Sequence, residues 1–399
     1  MKFAHMADLH IGGWQDSKMK ELGLQSFKLA IDRCIQENVS FILFAGDLFN
    51  TALPQIDLIK EVAGVLRKVK DNKIPIYCIA GSHDFSPSGK TMLDVLEKAG
   101  LLTNVVKFDN EGNLQFTEIN DNLKITGLLG KKGGLEKSDY ETLNKSVLES
   151  EPGKKIFMFH TAINEFKPRG LEDMDGQDVA SLPNNFHYYA GGHVHYIFQK
   201  EHGQGYLTFP GALFPNNFKE LEEFKHGGFY LVDENFNPEY IPIKIKDVVS
   251  LNFDADNKTP ENLQEEILTT LNNSNLEDKI VLLRLKGILI SGKPSDIKFN
   301  KIINSFPQAY YITKNISKLT TKKFKETEVK QGTVEEVEQQ VIKEHSPSFN
   351  IPEINEEDIT QILIDVLNKE KNEGEKNADF EKRIFSEAKQ LLNLNEIFK

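Results

Sequence analysis

Residues 1–10 read MKFAHMADLH, and this stretch contains the unit that decides the fold. Phe3–Ala7 is an apolar run with the character of a buried strand, and Asp8 and His10 follow where that strand runs out into a loop. Four later strand-like runs end in the same way: Phe41–Ala45, Ile74–Ala80, Ile156–Phe159 and Phe186–Ala190. The polar segments that follow them are Gly46-Asp47, Gly81-Ser82-His83-Asp84, His160 and Gly191-Gly192-His193-Val194-His195. Because ligands of an open α/β sheet gather at the carboxyl ends of its strands, these five segments predict one shared site.

The residue types in these segments indicate a metal site. Carboxylate oxygens and imidazole nitrogens without any thiolate suit divalent metals that favour mixed oxygen and nitrogen ligands, manganese among them. Two neighbouring cations need a shared anionic ligand, and Asp47 is the best candidate because Gly46 lets the backbone approach closely. Alternative interpretations are a helix-capping role for Asp8 and a turn role for Asp47. The apolar flanks of Asp47 give no other reason for a charge there.

At these residues the chain resembles the calcineurin-like metallophosphoesterases, and within them the archaeal, SbcD-like nuclease subunits of DNA double-strand-break repair complexes. The resemblance covers the whole chain. It implies an α/β fold, namely an α/β sandwich of two mixed sheets flanked by helices, with a small α+β capping domain and a C-terminal helical segment. It also implies two Mn²⁺ ions per chain, which hydrolyse a phosphodiester by charge neutralisation and activation of water.

The resemblance implies a role for each site residue. The first metal position would be formed by Asp8, His10, Asp47 and His195. The second metal position would be formed by Asp47, Ser82, His160 and His193. His83 would lie outside the metal shell as the catalytic residue that faces the scissile phosphate, with Asp84 able to orient its ring. Gly191 and Gly192 would let the chain leave strand geometry before His193.

The chain departs from the family pattern at two positions. Most members have an asparagine where this chain has Ser82, and serine is shorter and binds hard cations more weakly. Ser82 could therefore act through a water or leave a ligand position open. Some members have a histidine linked to exonuclease action where this chain has Asn50, so the balance between exonuclease and endonuclease activity stays open.

Four segments are predicted along the chain. They are a nuclease domain at 1–246, a DNA-binding capping domain at 247–314, a linker with one short helix at 315–355, and a helix-loop-helix at 356–399. The helix-loop-helix would dock either on the main body or on a partner, and the resemblance implies an ATPase partner. Among the predicted helices are Ser26–Asn38, Gln55–Asp71 and Glu141–Ser150. The lysine-rich residues 315–332 have two interpretations, a solvated linker or an edge that contacts phosphate.

Composition sets further expectations. From residue 331 onward there are 16 acidic and 8 basic residues, so the first 330 residues carry only −4 of the net charge of −12. Charge therefore does not exclude nucleic acid, since a metal site can also neutralise phosphates. Cys34 and Cys78 are expected to be core residues in a reducing cytoplasm. A signal peptide and a membrane span are not expected, and the predicted location is cytoplasmic and nucleoid-associated.

The leading hypothesis is a manganese-dependent DNA nuclease, an exonuclease, an endonuclease or both, that processes DNA ends in double-strand-break repair. Its expected partners are DNA (double-stranded ends, hairpins or single strands), a coiled-coil ABC ATPase of the SMC-like type and a second copy of the chain. The alternatives are a phosphomonoesterase or cyclic-nucleotide phosphodiesterase with the same metal motifs, and a non-catalytic scaffold for DNA ends.

Overall fold

The computed structural model of the chain describes residues 1–86, 91–168, 170–171, 174–322, 366, 369 and 377–391. These residues belong to two compact units, Met1–Thr320 and Thr321–Lys399. The described part of the chain contains no helix that is long and apolar enough to cross a membrane.

The first unit is built from strands and short helices. The strands are β1 (Phe3–Met6), β2 (Phe41–Ala45), β3 (Ile76–Ile79), β4 (Thr103–Asn104), β5 (Thr117–Asn120), β6 (Leu123–Gly127), β7 (Lys154–His160), β8 (Ala162–Ile163), β9 (Gly176–Gln177), β10 (Tyr188–Gly192), β11 (Phe198–His202), β12 (Gly205–Phe209), β13 (Gly227–Val232), β14 (Pro238–Ile243), β15 (Val248–Asp254), β16 (Ile280–Leu289) and β17 (Tyr311–Thr321). The α-helices are α1 (Ser17–Gln36), α2 (Ile56–Asp71), α3 (Met92–Lys98), α4 (Lys137–Glu141), α5 (Lys145–Ser150), α6 (Phe218–Phe224), α7 (Pro260–Asn272), α8 (Phe299–Asn304) and, in the second unit, α9 (Asn377–Leu391).

Two six-stranded mixed sheets form the centre of this unit. The first has the order β14-β13-β1-β2-β3-β4, in which β1 to β4 are parallel and β13 and β14 are antiparallel additions. The second has the order β11-β12-β10-β7-β6-β5, with a parallel centre and antiparallel edges. The predicted α/β sandwich of two mixed sheets is therefore confirmed.

Apolar side chains hold the layers together. One core cluster lies between the two sheets and includes Phe3, Phe41, Ile156 and Tyr188, where the Phe3 and Phe41 rings stack with centroids 4.8 Å apart. A second cluster joins the outer face of the first sheet to α1, α2 and α3. A third covers the outer face of the second sheet beside α4 and α5. The apolar sequence runs thus form strands that are buried on both faces of their sheets, as a sheet covered on both sides requires.

Helix and strand boundaries differ from the predicted ones in three places. Helix α1 begins at Ser17 and not at Ser26, because the Asp16 side chain accepts hydrogen bonds from the N–H groups of Lys18 and Met19 and caps it there. The single helix predicted for 141–150 is two short helices, α4 and α5. Strand β10 extends through Gly192, so both glycines of the predicted loop lie within the sheet.

A separate three-stranded sheet follows, in the order β15-β16-β17, with β15 and β16 parallel. Its core includes Phe253, Leu263, Ile267 and Leu283, which join the sheet to α7 and α8. Strands and helices alternate here along the chain in the order β15, α7, β16, α8 and β17. The separation of 247–314 as a capping domain stays a prediction.

The linker predicted from residue 315 begins later than expected. Strand β17 continues through Thr321, because Leu319 and Thr321 are buried on the sheet while Thr320 between them faces solvent. Residues 323–355 of the predicted linker, and the predicted helix-loop-helix at 356–399 apart from 366, 369 and 377–391, lie outside the described residues. Helix α9 lies in the second half of that predicted segment, and its Phe385 side chain is 67% exposed.

Lys155 gives a test of the second sheet. This lysine is only 2% exposed, and its Nζ donates to the carbonyl oxygens of Leu148 and Glu149 at the end of α5. Lys155→Met should lower the free energy of unfolding by about 1–3 kcal/mol, because buried carbonyls lose their donor. Its neighbour Lys154 bonds to the exposed Glu234 carbonyl, so Lys154→Met should cost less than about 0.5 kcal/mol. Urea unfolding of both variants measures the difference, and equal losses would contradict this account.

Candidate metal centre

The predicted site residues converge at the carboxyl ends of β1, β2, β3, β7 and β10. Hydrogen bonds join the loops after β1 and β2: the N–H of Asp8 donates to the Gly46 carbonyl at 3.1 Å, and the N–H of His10 donates to the Asp47 carbonyl at 2.9 Å. These main-chain hydrogen bonds alone hold the segments after β1 and β2 together.

The backbone at this edge adopts conformations that non-glycine residues seldom occupy. Asp8, His10, Asp47 and His193 have φ values of 50°, 40°, 52° and 88°. Such conformations cost roughly 1–3 kcal/mol each and persist where the surrounding structure determines them. They turn the side chains at the strand ends toward a common point. The prediction that Gly191 and Gly192 provide this turn is wrong, because His193 itself makes it.

The glycines serve instead to admit close neighbours. A Cβ atom on Gly46, whose φ is 93°, would lie 2.2 Å from Nδ1 of His160. A Cβ atom on Gly192 would lie 2.1 Å from the Ala45 carbonyl oxygen, at the point where the two sheets approach. Gly46 was expected to bring the backbone close to the metals, and in the structure it makes room for the His160 ring.

Asp47 lies in the middle of the cluster, and its two oxygens have different surroundings. Oδ1 accepts a hydrogen bond from the N–H of His83 at 2.7 Å. Oδ2 lies 3.5 Å from Nε2 of His10 and 3.2 Å from Nε2 of His160, and the Ser82 hydroxyl donates to it at 3.5 Å. One oxygen is therefore oriented by the backbone, while the other faces donor groups of both metal positions, as a shared ligand must.

The residues predicted for the first metal position are close together. Nε2 of His10 and Nε2 of His195 are 3.1 Å apart, and Asp8 Oδ1 lies 4.0 Å and 3.8 Å from them. Both Asp8 oxygens also accept from the N–H of His193, at 3.0 and 3.1 Å. The ligand atoms of Asp8, His10 and His195 lie within 4.8 Å of one another, so one cation can reach all three.

Fewer of the residues predicted for the second metal position have their ligand atoms close together. Ligand atoms of Asp8, Asp47 and His160 form a second group within 4.8 Å. The His193 ring lies beside the His160 ring with centroids 5.3 Å apart, and Ser82 reaches the group only through Oδ2 of Asp47. His83 forms a third group with His10 and Asp47, so the geometry also permits it to act as a ligand.

Hydrogen bonds to Nδ1 orient the imidazole rings. Nδ1 of His160 is 2.8 Å from the Ala45 carbonyl oxygen, which can only accept, so Nδ1 carries a proton and Nε2 is the nitrogen left to bind a cation. Nδ1 of His195 is 2.9 Å from Oε1 of Glu220, and Nδ1 of His10 is 3.2 Å from Oδ1 of Asn50. In this way all three rings turn Nε2 toward the carboxylates. Partners of this kind raise the basicity of metal ligands.

Burial and charge act against each other in the cluster. Burial raises the pKa of Asp8 to about 6, against the attraction of His195 and His160. Burial also raises the pKa of Asp47, but the charges of His160 and His10 outweigh it and hold this pKa well below its usual range. Burial lowers the pKa of His160, yet Asp47 and Asp8 bring it to about 10. Two buried carboxylates thus require positive charge beside them, which protons or metal cations can supply.

Asp84 does not orient His83, contrary to the prediction. Its carboxylate accepts from the N–H groups of Leu48, Phe49 and Gly81, each at 3.1 Å. It therefore ties the loop after β3 to the loop after β2. The Asn50 carbonyl oxygen lies 2.8 Å from Nδ1 of His83 and orients that ring instead.

Two residues contact the site histidines although the sequence did not predict it. Asn50 contacts both His10 and His83, whereas the sequence reasoning treated it only as a departure from the family pattern. Glu220 was not considered, although Asn217-Phe218-Lys219-Glu220 has the spacing of a helix N-terminal capping box. The Asn217 side chain indeed accepts from the N–H of Glu220. That spacing predicts a helix start, and it contains no signal for the contact with His195.

The donor set fits a pair of divalent cations. It consists of carboxylate oxygens and imidazole nitrogens, and its two carboxylates, Asp8 and Asp47, are buried. Buried carboxylates are costly unless positive charge lies beside them, and a pair of cations supplies that charge. The arrangement is thus a candidate two-metal site.

Gly46 provides a test of this packing. Gly46→Ala should weaken manganese binding at least roughly tenfold, because its methyl group displaces the His160 ring and its φ of 93° strains alanine. Gly64→Ala is the matched control: in α2 its methyl group meets no described atom within 4 Å, and it should stabilise the helix by up to about 1 kcal/mol. Calorimetric titration with manganese and thermal unfolding measure both variants. Unchanged manganese affinity in Gly46→Ala would exclude this role for the glycine.

Comparison with known proteins gives the family. The family described as calcineurin-like phosphoesterase matches residues 1–196. The DNA double-strand break repair protein Mre11 of Methanococcus maripaludis is 30% identical over 365 residues, covering 88% of this chain and 92% of its own. The proteins of that name from Archaeoglobus fulgidus and Sulfolobus acidocaldarius are 25% and 27% identical and cover 94% and 93% of this chain, and 82% and 95% of their own. The chain belongs to the Mre11 family of DNA double-strand break repair proteins, whose N-terminal part here is a calcineurin-like phosphoesterase domain.

Proposed function

We propose that this chain is a two-metal, manganese-dependent DNA nuclease that processes DNA ends in double-strand-break repair. The observation that carries the proposal is Asp47: its Oδ2 faces His10 on one side and His160 on the other, at 3.5 and 3.2 Å. A carboxylate shared in this way is what two neighbouring cations need. The repair function is supported by the relatives that match nearly the whole chain, which are DNA double-strand break repair proteins.

The proposed ligands of the first metal position are Asp8, His10, Asp47 and His195, and those of the second are Asp47, Ser82, His160 and His193. Divalent cations held by these residues would supply neutralisation of the phosphate charge and activation of a water. Oxygen and nitrogen donors without thiolate favour manganese over softer metals. The hydrogen bonds to Ala45, Asn50 and Glu220 fix the orientation of the imidazole rings. The rings therefore need little reorganisation when a cation binds.

His83 is the proposed catalytic residue. Its main-chain N–H holds Asp47, and its Nδ1 is directed at the Asn50 carbonyl oxygen, so Nε2 is the nitrogen available to a substrate. The His83 ring also packs edge-on against the His10 ring, with centroids 4.6 Å apart. From this place His83 can stabilise charge on the phosphate or protonate the leaving oxygen.

The proposed partners draw on separate parts of the chain. Residues 247–314 would contact DNA. The C-terminal residues 356–399 would bind an SMC-like ABC ATPase, which the exposed Phe385 of α9 supports as a docking side chain. A homodimer through α2 and α3 is supported by exposed Leu53, Ile56 and Val95. A DNA substrate places the protein in the cytoplasm, with the nucleoid.

The substrate class is tested by hydrolysis of duplex DNA, bis-p-nitrophenyl phosphate and a phosphomonoester, each with and without manganese. A nuclease should cleave the first two in a manganese-dependent way. Preference for the phosphomonoester would favour a phosphatase, and no hydrolysis would favour a DNA-end scaffold.

In the same assay His83→Ala should lower phosphodiester cleavage by about 10²–10⁴-fold while two manganese ions stay bound.

Asp47→Ala is the matched comparison for His83→Ala. It should remove manganese from both positions, since Asp47 Oδ2 faces both. Loss of one manganese ion in His83→Ala would show that His83 is a ligand, as its group with His10 and Asp47 allows.

Ser82→Asn tests the incomplete second metal position. The longer carbonyl can reach a cation directly, whereas the Ser82 hydroxyl reaches only Asp47. Wild-type cleavage should therefore rise in two steps as manganese is added, and the variant should saturate at a lower concentration. Anomalous diffraction at low manganese measures both occupancies. Equal occupancy in the two proteins would mean that Ser82, or a water that it holds, replaces the asparagine without loss.

A further inference from the structure

Helix α6 contacts the candidate metal centre through Glu220. Oε1 of Glu220 lies 2.9 Å from Nδ1 of His195, and Oε2 accepts from the N–H of Asn216 at 2.7 Å. The Asn217 cap fixes the backbone at the same end of the helix, with its oxygen 3.0 Å from the N–H of Glu220. Glu220 is thus held by the helix start and in turn holds the His195 ring.

The same helix contacts the three-stranded sheet through Glu222. Arg284 on β16 donates to the Glu222 carboxylate with Nε at 2.8 and 2.9 Å and with Nη2 at 2.6 Å. The guanidinium also lies over the Phe218 ring, 4.9 Å from its centroid. A two-point contact of this kind fixes orientation as well as distance, and both side chains are about three-quarters buried.

Apolar packing makes α6 a rigid connection between these two contacts. Leu221 is fully buried in a cluster with Ile280 and Leu282 of β16 and with Met19 and Leu22 of α1. One short helix is therefore packed between the sheet that contains β16 and the helix that follows the first metal loop. Residues two apart on a helix point in different directions, so Glu220 and Glu222 can hold opposite neighbours.

We propose that α6 couples the placement of the β15–β17 sheet to the first metal position, with Glu220 as the positioning residue of His195. The proposal rests on the proposed function, since it takes His195 as a metal ligand. Glu220 fixes the tautomer of His195, so that Nε2 faces His10 and Asp8 at 3.1 and 3.8 Å. A shift of β16 moves Arg284, and with it α6 and the acceptor of the His195 proton. The affinity of the first metal position then depends on where the sheet sits.

The test measures manganese binding directly, from the electron paramagnetic resonance signal of unbound Mn²⁺ during titration of the full chain. His195→Ala identifies the first metal position. Glu220→Ala should weaken that position about 10–100-fold and leave the other one near wild type. Glu220→Gln keeps an oxygen for Nδ1–H and should recover much of the loss.

The coupling is tested on the far side of the helix. Arg284→Met should weaken the first position by roughly threefold or more. Lys258→Met is the matched control, because Lys258 pairs with Glu266 inside the same sheet-and-helix module and touches neither glutamate of α6. It should leave both affinities unchanged. In the Glu220→Ala background, Arg284→Met should have no further effect, since the connection is already broken.

The outcomes separate the two proposals. If His195→Ala still binds two manganese ions with wild-type affinity, the ligand assignment of the proposed function fails. If His195→Ala loses one ion but Glu220→Ala binds like wild type, only the present inference is overturned. If Arg284→Met matches Lys258→Met, or if its effect persists without Glu220, the coupling is overturned. Should Glu220→Ala fail to fold by circular dichroism, the comparison of Arg284→Met with Lys258→Met still decides whether the coupling exists.

Discussion

The close approach of β2 and β10 is the constraint on which the rest of the site depends. At Ala45 and Gly192 the two sheets come so near that a Cβ atom on the glycine would lie 2.1 Å from the Ala45 oxygen. That same oxygen accepts a hydrogen bond from Nδ1 of His160, 2.8 Å away. One carbonyl group therefore sets the distance between the sheets and the orientation of a candidate ligand. Glycine at position 192 is required by the backbone of the opposite sheet.

The second consequence of this approach is electrostatic. Asp8 is fully buried and Asp47 is 2% exposed, so the two carboxylates are excluded from water at the seam between the sheets. Like charges in such a place are costly unless cations neutralise them. The neighbouring imidazoles are hydrogen-bonded through Nδ1 and turn Nε2 toward the carboxylates. The fold thus spends packing stability to hold an anionic pocket that a pair of divalent ions can satisfy. The raised backbone strain at the same residues has the same origin.

The convergence of the strand-end residues could be predicted from the sequence, because polar groups after apolar runs leave a local signal. The sandwich and its two mixed sheets were predicted through the family resemblance that these residues carry. The sequence was not sufficient for contacts that depend on tertiary packing. Asp84 follows His83 in the chain, yet it binds three backbone N–H groups, because burial makes unpaired N–H groups costly. Glu220 is 25 residues from His195, and only the docking of α6 brings them together. The boundary of β17 was also missed, because its polar residues resemble a linker until Leu319 is seen to be buried.

The order of the site residues along the chain has a consequence for synthesis. Asp8 and Asp47 come early, whereas His193, His195 and Glu220 come only after more than half of the sheet strands. Strand β13, which pairs with β1, comes later still. A growing polypeptide that ends before these residues lacks the imidazoles and the outer strands that complete the pocket. The candidate metal centre is therefore completed only when nearly all of the sandwich has been made.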